Sequence, residues 1–270
     1  MPRTAIPQPG VEMRVDVNAF FGHYPFRPVP GGSPEALLAT MDRVGIHEAW
    51  VSNLSAVFWK SAAEGDEALF DWAAREPLFR LVPAVLPGQP GWDGALREAI
   101  AREAPCVRAD PTQGGLNPAG PEMRMLAAAC ADARIPMMLS VRLEDARQRH
   151  PLDRAAELAP SEVRHLIRSH EHVKLLVTHA DRQFIEEVHF GSTPTEAMRI
   201  LWDICWIWGP PEDHLALLLQ TIGPERFTFG TGMPLRIPEA AVAKLDLLDL
   251  SPEDRSRIEG ENLARFLQSP

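Results

Sequence analysis

Cysteine is scarce in this 270-residue chain. Cys106, Cys130 and Cys205 are odd in number, far apart, and form no C-x-x-C pair. That argues against a disulfide frame and against a cysteine-built zinc site, and points to a reduced, cytoplasmic protein. Long apolar runs are also lacking. None approaches the roughly 18 residues that span a bilayer, and the Pro-rich first ten residues have no apolar signal-peptide core. No membrane partner is expected. Positive charge is in deficit, with 27 Lys and Arg against 37 Asp and Glu, a net charge of -10. Phosphate backbones repel such a chain, so nucleic acid is not an expected partner. No G-x-G-x-x-G follows the first strand pattern, which disfavours a doubly wound dinucleotide fold. Low-complexity linkers and internal repeats are absent too.

Alternating elements are what the chain does have. With 45% hydrophobic residues it can bury a large core, and one α/β barrel takes roughly 250 residues. Apolar and β-branched runs predict strands at residues 13–17, 48–52, 79–85, 106–109, 135–141, 173–178, 200–205 and 226–229. Helical patterns fall between them, at 60–75, 92–103, 122–133, 161–168, 183–188 and 212–222. Ser33-Pro34-Glu35 caps an additional helix that closes at Gly45. Two more helices end the chain. Eight strands alternating with helices predict a single (β/α)8 barrel over residues 1–270, with 1–12 as an irregular arm. The Gly-Thr-Gly-Met-Pro run that breaks the last strand, residues 230–234, would then lie at the active-site mouth.

The strand ends carry a resemblance. Asp16-Val-Asn-Ala-Phe20 with Gly22 and Pro25-Phe26-Arg27, Thr178-His179-Ala180, and Phe229-Gly-Thr-Gly-Met-Pro234 resemble amidohydrolase-related proteins of the amidohydrolase-2 type. So does the closing tail, residues 250–265. The likeness runs through nearly the whole chain in order and spacing, and it implies a metal-dependent hydrolase barrel. This chain departs from it at the ligand positions. The family's H-x-H pair falls on Asn18 and Phe20, its strand-5 histidine on Ser140, and its strand-8 aspartate on Gly232. Only His179 keeps a ligand type. Zinc catalysis wants about three protein ligands, so the expectation is no bound metal and no cofactor.

The remaining polar residues suggest a small-molecule site. Arg27, Arg108, Arg142 and Arg182 fall in or beside mouth loops, where they either pair with local carboxylates or grip a carboxylate ligand. Asn18 and Ser140 would join Arg27, Arg108 and Arg142 in substrate binding. In the charged loop at 142–150, Asp145 could orient His150 as an acid–base pair assisting His179; the other reading is a solvated loop with an Asp–Arg pair. The chain is therefore expected to be a hydrolase or lyase acting on a small carboxylated or cyclic molecule. The alternative is an inactive barrel that binds a ligand or partner. A homo-oligomer is left open.

Overall fold

The computed structural model describes residues 13–58 and 61–269. The expected arm at 1–12 and the helix start at Lys60 lie outside the described residues. Eight parallel strands run in sequence: β1 Val15–Phe21, β2 Glu48–Asn53, β3 Phe79–Leu81, β4 Val107–Ala109, β5 Met137–Ser140, β6 Leu175–Thr178, β7 Ile200–Asp203 and β8 Phe227–Thr228. Regular ladders join β1 to β3 and β4 to β8. Two looser seams complete the ring. Beyond Leu81, Arg108 N donates to Pro83 O and Val85 N to Arg108 O, each at 2.8 Å, tying β3's extension to β4. On the other side Val17 N donates to Phe229 O at 3.1 Å, Gly232 N to Asn18 O at 2.8 Å, and Phe20 N to Met233 O at 2.7 Å. The chain is a (β/α)8 barrel, as its alternation predicts.

The helices form where caps and breakers direct them. In α1, Pro34–Val44, Ser33 Oγ accepts from Ala36 N at 3.3 Å, and Gly45 at φ 68° closes the last turn. The helix expected at 60–75 is α3, Ala62–Ala73, capped by Ser61; the short α2, Leu54–Phe58, precedes it and was not expected. The remaining helices are α4 Trp92–Ala101, α5 Pro121–Asp132, α6 Pro160–Ser169, α7 Arg182–Phe190, α8 Pro194–Met198, α9 His214–Thr221, α10 Pro238–Asp246, α11 Pro252–Ser256 and α12 Asn262–Gln268. The short α8 was not expected; its Thr193–Glu196 capping box is the signal that reveals it.

Strand alternation divides the barrel into an inside and an outside. Val17, Trp50, Val82, Cys106, Met138, Leu176 and Leu201 pack on one another in the lumen. Val51, Val107, Leu139, Val177 and Trp202 point outward among helix residues such as Leu126, Leu166 and Leu218. Two residues past each lumen side chain comes the next inward position: Ser52, Ala84, Arg108, Ser140, Thr178 and Asp203. A polar layer therefore sits directly on an apolar plug. β1 reaches it differently. Its register with β2 shifts between Asp16 and Ala19, and this bulge re-aims Asn18 inward as well. The strand does not end at Asn18, as its sequence suggested, but continues to Phe21. The freed Asp16 carboxylate stitches the seam. It accepts from Asn18 N at 2.9 Å, Thr231 N at 3.0 Å and Thr231 Oγ1 at 2.5 Å.

Asp66 on α3 is buried, and one of its oxygens accepts from Ala84 N at 2.6 Å while the other has no partner among the described residues. Burial pushes its carboxyl up to about 8, opposed only by that backbone hydrogen bond. A carboxyl whose folded value lies above its unfolded value stabilises the fold in acid, and loses that contribution as pH rises through the folded value. Asp66→Asn keeps the acceptor without the titration. Denaturant unfolding is expected to show wild-type stability falling between pH 5 and 8 by about 2 kcal/mol or more, with a visibly flatter profile in the variant. Parallel profiles would remove Asp66 as the cause.

Candidate active site

The polar layer is organised around Arg108. Its side chain is 1% exposed. Nε donates to Ser52 Oγ at 2.8 Å, Nη1 to Ser140 Oγ at 2.7 Å, and Nη2 to Asn18 Oδ1 at 2.9 Å. The guanidinium also lies over Phe20, 4.5 Å from the ring centroid. Every direct partner is neutral. A guanidinium has five N–H donors, so two remain for something else. The carboxylate whose charge acts on it most is Asp110, also buried, with one oxygen unpartnered among the described residues. Burial pushes the Asp110 carboxyl up, against the pull of Arg108 and Ser140.

His179 closes the layer from β6. It sits at φ 59° immediately after the strand. Asp203 holds it there through the backbone: His179 N donates to Asp203 Oδ1 at 3.0 Å, while Asn18 Nδ2 donates to Asp203 Oδ2 at 2.8 Å. The imidazole is fully buried, stacked on Phe20 and edge-on to Trp206. Its Nδ1 lies 3.2 Å from Thr178 Oγ1. Burial drives the imidazole well below its ordinary value, and the charges of Arg108, Arg236 and Arg142 drive it further. At neutral pH His179 is uncharged.

Glycine is required twice here. At Gly230 a Cβ would stand 2.8 Å from Asp203 Cβ and Oδ2. At Gly232, φ 70°, it would stand 3.2 Å from His179 Nε2 and 3.1 Å from Arg236 Cγ. The backbone after β8 thus lies against both Asp203 and His179.

Outside this layer an open cleft of about 320 Å³ is lined by Arg142, Asp145, Arg147, Asp181, Trp206 and Trp208, among others. Trp206 lines the cleft and also touches His179, so it stands between the two. Arg142 and Arg236 both lie over the Trp206 ring, at 5.4 and 3.4 Å from its centroid.

The structure gathers some of the expected residues and disperses others. Asn18, Arg108, Ser140 and His179 meet in one layer. Arg142 borders the cleft, but Asp181 and Glu157 occupy it at 2.8 and 3.1 Å. Arg27 is spent on Glu144 at 2.6 Å and on Leu235 O. Arg182 pairs with Glu186. The Asp145–His150 pair does not form. Arg147 binds the Asp145 carboxylate at 2.6 Å and holds it well below the usual range. His150 is exposed, lies against Phe26, and accepts from Leu152 N. Ser52 and Arg236 were missed. Counting two residues past Trp50 and Cys106 would have found Ser52 and Arg108 as one layer, with Asp110 next.

Comparisons with known proteins agree with this architecture. Residues 14–268 match the amidohydrolase family. No curated protein matches the sequence. Among solved structures, 2,6-dihydroxybenzoate decarboxylase from Rhizobium superposes with a TM-score of 0.74 at 15% identity, covering 96% of this chain and 99% of that one. Dihydroxybenzoic acid decarboxylase from Polaromonas, with bound manganese and 2-nitroresorcinol, gives 0.70 at 13% identity, over 95% and 97%. The 5-carboxyvanillate decarboxylase from Novosphingobium aromaticivorans, complexed with manganese, gives 0.68 at 14% identity, over 100% of both. The expectation that no cofactor is involved is overturned by these neighbours, two of which hold a bound manganese ion in the same fold. In this chain no three His, Cys, Asp or Glu side chains converge among the described residues. Asp203 is engaged by His179 N and Asn18, and a guanidinium lies among Asn18, Ser52 and Ser140. These donors, as arranged, do not form a ligand set, and no step below is routed through an ion.

Gly230→Ala tests the packing of the layer. The methyl must displace Asp203, which then releases His179 N and the Asn18 amide. The variant is expected to lose about 1–3 kcal/mol in denaturant unfolding. It is also expected to shift the His179 ring resonances in NMR spectra. Unchanged stability and unchanged resonances would show that Asp203 does not hold the histidine.

Proposed function

The chain belongs to the amidohydrolase family, and from that membership we propose that it is an enzyme. It hydrolyses, or cleaves in a related lyase step, a small carboxylated or cyclic organic molecule at the C-terminal ends of the strands. The observation that carries this reading is Arg108. A fully desolvated cation with only neutral partners costs several kcal/mol relative to an apolar core. A barrel needs no such group for stability, and the strand ends are where barrels place chemistry. Two spare N–H groups on a buried guanidinium suit a carboxylate or a polarised carbonyl. The fold neighbours named for dihydroxybenzoate and carboxyvanillate support a small carboxylated substrate.

His179 is the acid–base group in this reading. Being neutral, it can accept a proton from water or substrate. Its backbone is fixed by Asp203, and Asn18 and Thr178 bracket its ring. Arg108, with Asn18 and Ser140, positions the substrate. A cytoplasmic setting is part of the proposal, and three free, buried cysteines support it.

A turnover screen over aromatic carboxylates, lactones and amides, run with and without added manganese, tests the proposal. His179→Ala is expected to lower kcat/KM by roughly a hundredfold to ten-thousandfold. The sign of the pH dependence follows from the lowered imidazole value. A base works unprotonated, so activity falls as pH drops through its value, and the acid limb of kcat/KM belongs well below 6.5. Full activity in His179→Ala would remove that residue from the chemistry. Ligand binding without turnover would favour the second reading, a barrel that binds and does not react. On that side stands the engagement of Arg108, Asp203 and Asn18 with one another and with Ser52, Ser140 and the His179 amide.

A further inference from the structure

Arg236 stands apart from the other arginines at the mouth. Arg142, Arg147 and Arg27 each hold a carboxylate at 3.1 Å or closer. Arg236 follows the Gly-Thr-Gly-Met-Pro run of β8, and among the described residues it makes no ion pair. Its Nε is buried without a partner. What holds it is the Trp206 ring, 3.4 Å from Cζ, together with the close backbone of Gly232. Glu144 and Asp145 act on it only through longer-range charge. The guanidinium is half-buried, pre-oriented by stacking, and uncompensated at contact distance. Trp206, its support, lines the open cleft and touches His179. Orienting a guanidinium on an aromatic face leaves its edge N–H groups free for bidentate contact with a planar anion.

We infer that Arg236 is the anchor for a substrate carboxylate entering from the cleft, so that the substrate is an anion rather than a neutral lactone or amide. The inference rests on the enzymatic reading above and narrows it. Arg236 selects the anionic substrate and steers it toward the Trp206 wall and His179. A positive group with no local partner also attracts anions during encounter, an effect that added salt weakens.

Benzoate and benzamide, equal in shape and differing in charge, serve as probes in calorimetric titrations of the full-length protein. The wild type is expected to bind benzoate at least roughly tenfold more tightly than benzamide, with a preference that shrinks at high salt. Arg236→Gln is expected to erase the preference by weakening benzoate alone. Arg236→Lys, which keeps the charge without the fork, is expected to fall between. Equal binding of the two probes by the wild type would overturn the assignment, as would detection of neither. Benzoate binding unchanged in a folded Arg236→Gln protein would also overturn it. The wild-type comparison decides the matter even if Arg236→Gln fails to fold. These outcomes are separate from the turnover screen. A carboxylate preference without turnover leaves Arg236 standing and the enzymatic reading fallen. Turnover of neutral lactones with full rate in Arg236→Gln does the reverse.

Discussion

The polar layer at the strand ends depends on one desolvated cation. Arg108 reaches from β4 across the lumen to β1, β2 and β5 through Asn18, Ser52 and Ser140. One side chain thereby links four of the eight strands at the end where the ladders stop. Each contact is a hydrogen bond between a charged donor and a neutral acceptor, among the stronger kinds in a protein interior. Their sum offsets part of the desolvation penalty but does not neutralise the charge. The residual positive potential then shapes its surroundings. It lowers the proton affinity of His179, and it opposes the rise that burial imposes on Asp110.

The arginines nearer the surface divide by partner. Arg142 and Arg147 are closed off by carboxylates, so they build the cleft wall rather than offer charge to it. Ion pairs at such partly exposed sites contribute little stability, yet they fix loop geometry around residues 142–157. The geometry matters because Trp206 is packed from both directions, by cationic side chains on the solvent side and by His179 beneath. The chain as a whole is acidic, net charge -10, so the guanidinium of Arg236, which makes no ion pair among the described residues, is a local exception, and local exceptions focus a field on small anions.

The sequence makes some of these placements legible and hides others. Strand alternation with period two already put Arg108, Ser140 and Asp203 on one face of their strands, and the order of the strand-end motifs placed His179 with Asn18. The β1 bulge was not legible. Nothing in Asp-Val-Asn-Ala announces a register shift, and without it Asn18 and Val17 cannot both face the lumen. The Asp145–His150 reading failed for a different reason. Proximity along a loop says nothing about which cation captures a carboxylate, and Arg147, two residues away, is nearer than any imidazole. Arg236 escaped notice because its significance lies in lacking a partner, which only three-dimensional packing reveals. The expectation about the metal failed at yet another level. Counting ligand types at aligned positions describes those positions, whereas the manganese-bound neighbours bear on the scaffold.

The conformation of His179 argues most directly that the strand ends were shaped for more than packing. A side chain other than glycine at φ 59° carries local strain on the order of 1 kcal/mol or more. Histidine tolerates this region better than most residues, yet a residue serving only as filler would be free to relax out of it. Here relaxation is blocked on every side. Asp203 Oδ1 holds the amide, Gly230 leaves room for that carboxylate, Gly232 brings backbone up to Nε2, and Phe20 and Trp206 confine the ring. Two glycines, a buried aspartate and two aromatic rings from three different strand ends converge to keep one imidazole strained, neutral and aimed. Hydrophobic packing alone does not select such an arrangement, because it calls for neither a buried carboxylate nor an imidazole at φ 59°. The proposed proton-transfer role does, because it needs an imidazole held in one orientation.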